Sequence, residues 1–147
     1  MQNRGIFWSV FGGTIFVDLL TKFFVQNYLL TPLKIFPFLS LKLTENPNLA
    51  FGIAFPRFLI IAFSIFALLL IGNIFVKNVR KNSKIGALAF ALIFGGAITN
   101  LGARIFLGHV TDFISLSIIP NFNVADTALT FGVALIIIFH SNIFKKN

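Results

Sequence analysis

Cysteine is absent from the 147 residues, so the chain has no disulfide framework, no thiolate metal site and no cysteine nucleophile. Histidine is nearly as scarce. His109 and His140 are 31 positions apart and make a poor basis for a zinc site. Only 11% of the residues are charged, against about 25% in an ordinary soluble domain. Acids number four, against twelve Lys and Arg. With 57% hydrophobic residues and a mean hydropathy of +0.94, neither a water-soluble domain nor a disordered chain fits. The length accommodates one domain, residues 1–147. The composition is that of a membrane protein.

A net charge of +8 could serve nucleic acid, but a nucleic-acid binder gathers its basic residues on a solvated face. Here they stand at the edges of apolar runs, which is the pattern of topogenic charge. No nucleic-acid partner is expected. The 21 Phe read as lipid-facing and packing bulk. Uncharged runs of 19, 19 and 18 residues occupy 58–76, 85–103 and 127–144. Each is long enough to cross about 30 Å of hydrocarbon as a helix. A fourth span over 5–25 is interrupted by Asp18 and Lys22. These two are four apart with the acid first, the favourable order for a helical ion pair, and a paired charge near the interface is tolerable. Arg4 could instead open a cleaved signal peptide, but no small-residue cleavage site follows and the apolar run continues through Phe23 and Phe24.

Four spans place both termini on one side, with Arg4, Lys77, Arg80, Lys81, Lys84, Lys145 and Lys146. The other side holds five basic residues and all four acids, Asp18, Glu45, Asp112 and Asp126. The positive-inside rule makes the first side cytoplasmic. The expected fold is therefore an all-α membrane protein of four transmembrane helices. It carries a small extracytoplasmic β-rich region between spans 1 and 2, where residues 39–44 alternate between Pro37 and Pro47. The second long connection, 104–126, is apolar and is expected to lie against the bilayer surface.

Asp112 and Asp126 bracket that connection at one membrane depth, separated by 13 residues. Two close carboxylates cannot both ionise easily, so they share a proton, and one can act as base while the other acts as acid. Such a dyad cleaves an amide without metal or thiol. Read singly, the two are helix-end acids, with Asp126 a plausible N-cap of span 4. Asn46 beside Pro47 and Asn123 before span 4 read as turn residues, and Arg104 as an interfacial anchor. Equally, Asn and Arg at membrane depth belong where a polar cavity or a peptide backbone receives them. His109 and His140 receive no role.

The stretches Asp18-Leu-Leu-Thr-Lys22, Asn46-Pro-Asn-Leu-Ala-Phe-Gly52, Gly95-Gly-Ala-Ile-Thr-Asn100, Gly108-His-Val-Thr-Asp-Phe113 and Phe122-Asn-Val-Ala-Asp126 follow in that order. Together they closely resemble the bacterial lipoprotein signal peptidases, over nearly the whole chain. The resemblance implies an aspartic endopeptidase that needs no metal or cofactor. Such an enzyme sits in the bacterial cytoplasmic (inner) membrane, acts as a monomer among membrane lipid, and has its active site near the extracytoplasmic face. Its substrates are diacylglyceryl-modified prolipoproteins, cut just before the lipidated cysteine. It further implies Asp112 and Asp126 as catalytic acids and Asn46, Asn100, Arg104 and Asn123 as residues holding substrate or dyad. Asp18 and Lys22 become a structural pair near the interface. Ala103 stands where the family usually has an aspartate, Thr99 where it has a glycine, and Asn48 where it commonly has a glycine. Ala87, Ala91, Gly95, Thr99 and Ala103 recur every four residues as a small-residue packing stripe. Two other readings stand beside this one: a small proton-coupled exporter, and a degenerate paralogue that binds lipopeptide without cutting it. Acids near mid-span would favour the exporter, yet none lies in 58–76, 85–103 or 127–144.

Overall fold

The computed structural model describes residues 3–48, 55–80 and 82–144. Lys81, Lys145, Lys146 and positions 49–52 of the stretch beginning at Asn46 lie outside these. Helix α1 runs over Arg4–Tyr28, followed by strands β1 (Leu33–Phe36) and β2 (Leu39–Asn46). Helices α2 (Arg57–Asn78) and α3 (Lys84–Phe106) come next, then strands β3 (Val110–Leu116) and β4 (Ile119–Phe122). Helix α4 (Val124–Ile138) and one short turn, α5 (His140–Ile143), complete the order. Among the described residues, α1, α2 and α3 are long and apolar enough to cross a membrane, whereas α4 has 15 residues.

The uncharged runs set the positions of α2 and α3, and Ser83 caps α3 by accepting from the Gly86 N–H at 2.9 Å. The last helix departs from the expected 127–144. It starts earlier because Asn123, not Asp126, is its N-cap, and it ends at Ile138. Beyond the break at Phe139 the chain turns back over the α2–α3 connection, where Arg80 N–H donates to the Ile143 carbonyl at 2.8 Å.

Helix α3 is the centre of the packing. It lies against α1 on one side and α4 on the other, with α2 touching it more lightly. Near the α2–α3 turn, Phe90 is buried in a cluster with Val79, Ala89 and Ile143. Phe75 lies 4.9 Å from Phe90 and 5.3 Å from Phe7, ring centre to ring centre, distances at which aromatic rings attract. Several other phenylalanines, such as Phe63, Phe66 and Phe131, stay exposed on the helix surfaces, as lipid-facing bulk does. The small-residue stripe is used as expected for Ala87, Ala91, Gly95 and Thr99, all buried. Gly96, one position round, permits the closest approach. A Cβ there would run into the Ala125 carbonyl oxygen of α4.

The strands form one antiparallel sheet in the order β1-β2-β3-β4. This corrects the expectation of a β region confined to the segment between the first two spans. Half of the sheet comes from the 104–126 connection, which pairs with β2. Thr44 faces Asp112, Glu45 faces Thr111 and Asn46 faces Val110 in the β2–β3 register. Val110 through Phe113 are all buried, whereas Ile118 and Ile119, at the β3–β4 turn, stay exposed.

Gly96→Ala should lower the melting midpoint in detergent, because overpacking a tight contact costs about 1–3 kcal/mol. Thermal unfolding of the purified variant checks this, and an unchanged midpoint contradicts the close α3–α4 contact.

Candidate active site

The turn from β4 into α4 organises the polar centre. Asn123 is fully buried, and its side-chain oxygen accepts the Asp126 N–H at 2.9 Å while its own N–H donates to Asp126 Oδ2 at 3.3 Å. This reciprocal pair is a capping box. It locks the Asp126 carboxylate against the first turn of α4, where the helix dipole favours negative charge. From the same residue, Asn123 Nδ2 donates to Asp112 Oδ1 at 2.7 Å. One asparagine therefore touches both carboxylates.

The remaining oxygens are also engaged. Asp112, on β3, accepts from Asn46 Nδ2 at 2.9 Å across the sheet. The register explains this, since Asn46 lies two positions beyond Thr44, the residue facing Asp112, and so shares its face. Asp126 Oδ1 accepts from Asn100 Nδ2 of α3 at 2.8 Å. Asp112 is 3% exposed. Burial pushes its carboxyl above the ordinary range and the nearby Asp126 charge adds to that rise. Hydrogen bonds from Asn46 and Asn123 and the charge of Lys22 oppose it.

Asp18 and Lys22 do form the expected ion pair, at 2.7 Å, but both are buried in the bundle. Lys22 Nζ also donates to Asn100 Oδ1 at 3.0 Å, and Asp18 Oδ1 accepts the Ala125 N–H of α4 at 2.8 Å. Asn123 Nδ2 reaches Asn100 Oδ1 too, at 3.3 Å. With two donors on its oxygen, the Asn100 amide has one orientation left, and its nitrogen faces Asp126.

Arg104 sits at the edge of this network. Nη1 and Nη2 donate at 3.4 Å to the carbonyls of Asn100 and Asn48, while Nε is buried without a partner among the described residues. Ala103 contributes its carbonyl, which accepts the Leu107 and Gly108 N–H groups. Sequence reasoning missed Gln26, whose amide donates to Thr111 beside Asp112 at 2.7 Å. It also missed Arg57, which reaches the end of α3. The only signal for Gln26 was a polar residue one turn beyond Lys22. His109 stands 3.7 Å from the exposed Glu45. Among the described residues, no three His, Asp or Glu side chains gather as a metal set.

The family model described as Signal peptidase (SPase) II matches residues 10–142. The chain belongs to the signal peptidase II family. A lipoprotein signal peptidase of Aquifex aeolicus is 33% identical, over 93% of this chain and 86% of its own. One from Caldicellulosiruptor bescii is 37% identical, over 89% and 87%. A bacterial membrane enzyme solved by the in meso method at 2.3 Å resolution superposes with a TM-score of 0.85 at 29% identity, covering 98% of this chain and 94% of that one. Signal peptidase II is a peptidase family, so the exporter reading finds no support. In this signal peptidase II chain every residue expected at the site falls within one hydrogen-bonded network. Asp18 and Lys22, the expected structural pair, belong to it as well.

Lys22→Met leaves Asp18 buried and unpaired, a change that typically costs about 3–5 kcal/mol. Its melting midpoint in detergent should fall sharply. The double variant Asp18→Asn, Lys22→Met should recover most of the loss, and its failure to do so contradicts the pairing.

Proposed function

We propose that the chain is an aspartic endopeptidase of the bacterial inner membrane. It removes the signal peptide from diacylglyceryl-modified prolipoproteins, cutting before the lipidated cysteine, and acts as a monomer. The observation that carries the reading is that Asn123 holds Asp112 and Asp126 together in a buried polar centre. The family match and its named relatives support the substrate class.

In this proposal the dyad carries one proton. The ionised carboxylate takes a proton from a water molecule, whose oxygen attacks the scissile carbonyl carbon. The protonated partner gives its proton to the carbonyl oxygen, forming a tetrahedral diol. Collapse of the diol returns a proton to the leaving nitrogen and breaks the C–N bond, and the acids end as they began. Asn46, Asn100 and Asn123 hold the carboxylates. The half-buried Arg104 guanidinium, whose Nη groups make long bonds of 3.4 Å among the described residues, meets a carbonyl of the unwound substrate, which finds no water at that depth. Metal and cofactor play no part in the proposed reaction.

Four spans, with α4 as the last, place both termini and the α2–α3 turn in the cytoplasm and the sheet outside. The α2–α3 turn and residues 143–144 lie side by side, which supports their sharing a face. Reporter fusions at positions 45, 80, 118 and 147 test the topology. An external signal from position 80 overturns it.

Cleavage of a diacylated prolipoprotein by the purified protein, with a substrate altered at the cleavage motif as control, tests the activity. Asp112→Asn and Asp126→Asn should each reduce it by several orders of magnitude, since general acid–base help alone is worth about 10²–10⁴. Near-parental cleavage by either variant sinks the dyad. No turnover by the parent favours the degenerate reading that Ala103 motivates.

The pH profile carries a sign. Raised by burial, Asp112 keeps its proton to higher pH than an ordinary aspartate, so the alkaline limb reports loss of the dyad's last proton. Asn46→Ala removes a donor that favours the carboxylate, so that limb should move to higher pH. A shift to lower pH contradicts the Asn46–Asp112 bond.

A further inference from the structure

Helix α3 ends in a carbonyl problem. The last four C=O groups of any helix lack intrahelical partners, and here the helix end also carries Arg104. The Ala103 carbonyl is met by Leu107 N–H at 2.8 Å and Gly108 N–H at 3.2 Å. The next two carbonyls, of Arg104 and Ile105, are met by a residue from another helix. Arg57, the first residue of α2, donates from Nε to Arg104 O at 2.9 Å and from Nη2 to Ile105 O at 2.7 Å.

The fit extends to the turn that follows. Gly108 has φ +86°, a conformation that favours glycine, and a Cβ on it would stand 3.3 Å from Arg57 Nη1. The guanidinium is thus seated against the turn between α3 and β3. A cation at a helix C-terminus also opposes the negative end of the dipole.

We propose that Arg57 is a positioning residue that fixes the last turn of α3 and thereby aims the Arg104 guanidinium at substrate. The inference rests on the role given to Arg104 under the proposed function. Among the described residues Arg104 makes only long hydrogen bonds of 3.4 Å through its own side chain, so its direction is set by its backbone. Arg57 holds that backbone by the carbonyl of the same residue. Neither a lysine nor a neutral amide reproduces the two-carbonyl fork, because Lys is a point charge and Gln has one amide nitrogen.

The test uses the full-length protein in detergent and a diacylated lipopeptide whose scissile amide is replaced by a non-hydrolysable linkage. Arg57→Gln should weaken binding of this probe about tenfold, of the order of a lost hydrogen bond to a charged group. Its melting midpoint should stay near the parental value, because Arg57 is exposed outside its two bonds. Arg57→Lys should recover less than half of the loss. In an Arg104→Gln background, Arg57→Gln should weaken binding no further, because its effect passes through Arg104. An equal loss in both backgrounds, or full binding by Arg57→Lys, overturns the proposal. So does a loss of binding that only follows a fallen melting midpoint. Cleavage of the ordinary lipopeptide by the parent is scored separately. A parent that binds but does not cut overturns the proposed activity and leaves the Arg57 comparison decisive, and one that does neither overturns both.

Discussion

A buried asparagine side chain offers two donors and one oxygen acceptor, and each must be met or its desolvation is uncompensated. At Asn123 all are met within the site. The two amide hydrogens go to Asp112 and Asn100, and the oxygen takes the Asp126 N–H. The backbone of Asn123 completes the arrangement by donating to Asp126 and accepting from Thr127. Rotating this one side chain would break the cap of α4 and release Asp112 together. Helix start and carboxylate geometry are therefore the same constraint.

The second constraint is charge. Two carboxylates in a largely buried centre are tolerable only with compensating donors and a nearby cation; Asn46, Asn100 and Asn123 supply the donors, and α1 supplies Lys22. Lys22 serves Asp18 and Asn100 at once, while Asp18 also accepts the α4 backbone at Ala125. The pair links α1, α3 and α4 in one polar connection across an otherwise apolar interior. Glycine at position 96 lets α3 and α4 come close enough for the Asn100–Asp126 bond to form.

The sequence made the helices legible because uncharged runs of fixed length have few other uses, and α2 and α3 fall within a few residues of the runs that announced them. Strand β2 was legible because one of its faces alternates. Strand β3 was not, because Val110 through Phe113 are buried on both faces and carry no period-two signal. The start of α4 was misplaced by three residues, although Asn123 and Asp126 stand at the spacing of a capping box. The site was legible as an ordered set of short motifs, while its wiring was not. Lys22 and Asn100 are 78 positions apart, and nothing local in either predicts the contact. Arg57 looked like one more basic residue at a span edge, which is how topogenic charge and a fork on a helix end both look in one dimension.

Helix α4 has 15 residues, which at about 1.5 Å each gives about 22 Å, against about 30 Å of hydrocarbon. In the four-span reading this helix is too short for an undistorted bilayer. A short span is accommodated by local thinning or by sinking its polar end below the headgroups. Asp126 lies in the first turn of that end. The thickness of the surrounding lipid thus enters the distance that a peptide bond must travel from the aqueous surface to the dyad, and acyl-chain length becomes a variable of the reaction that no side chain of the protein encodes.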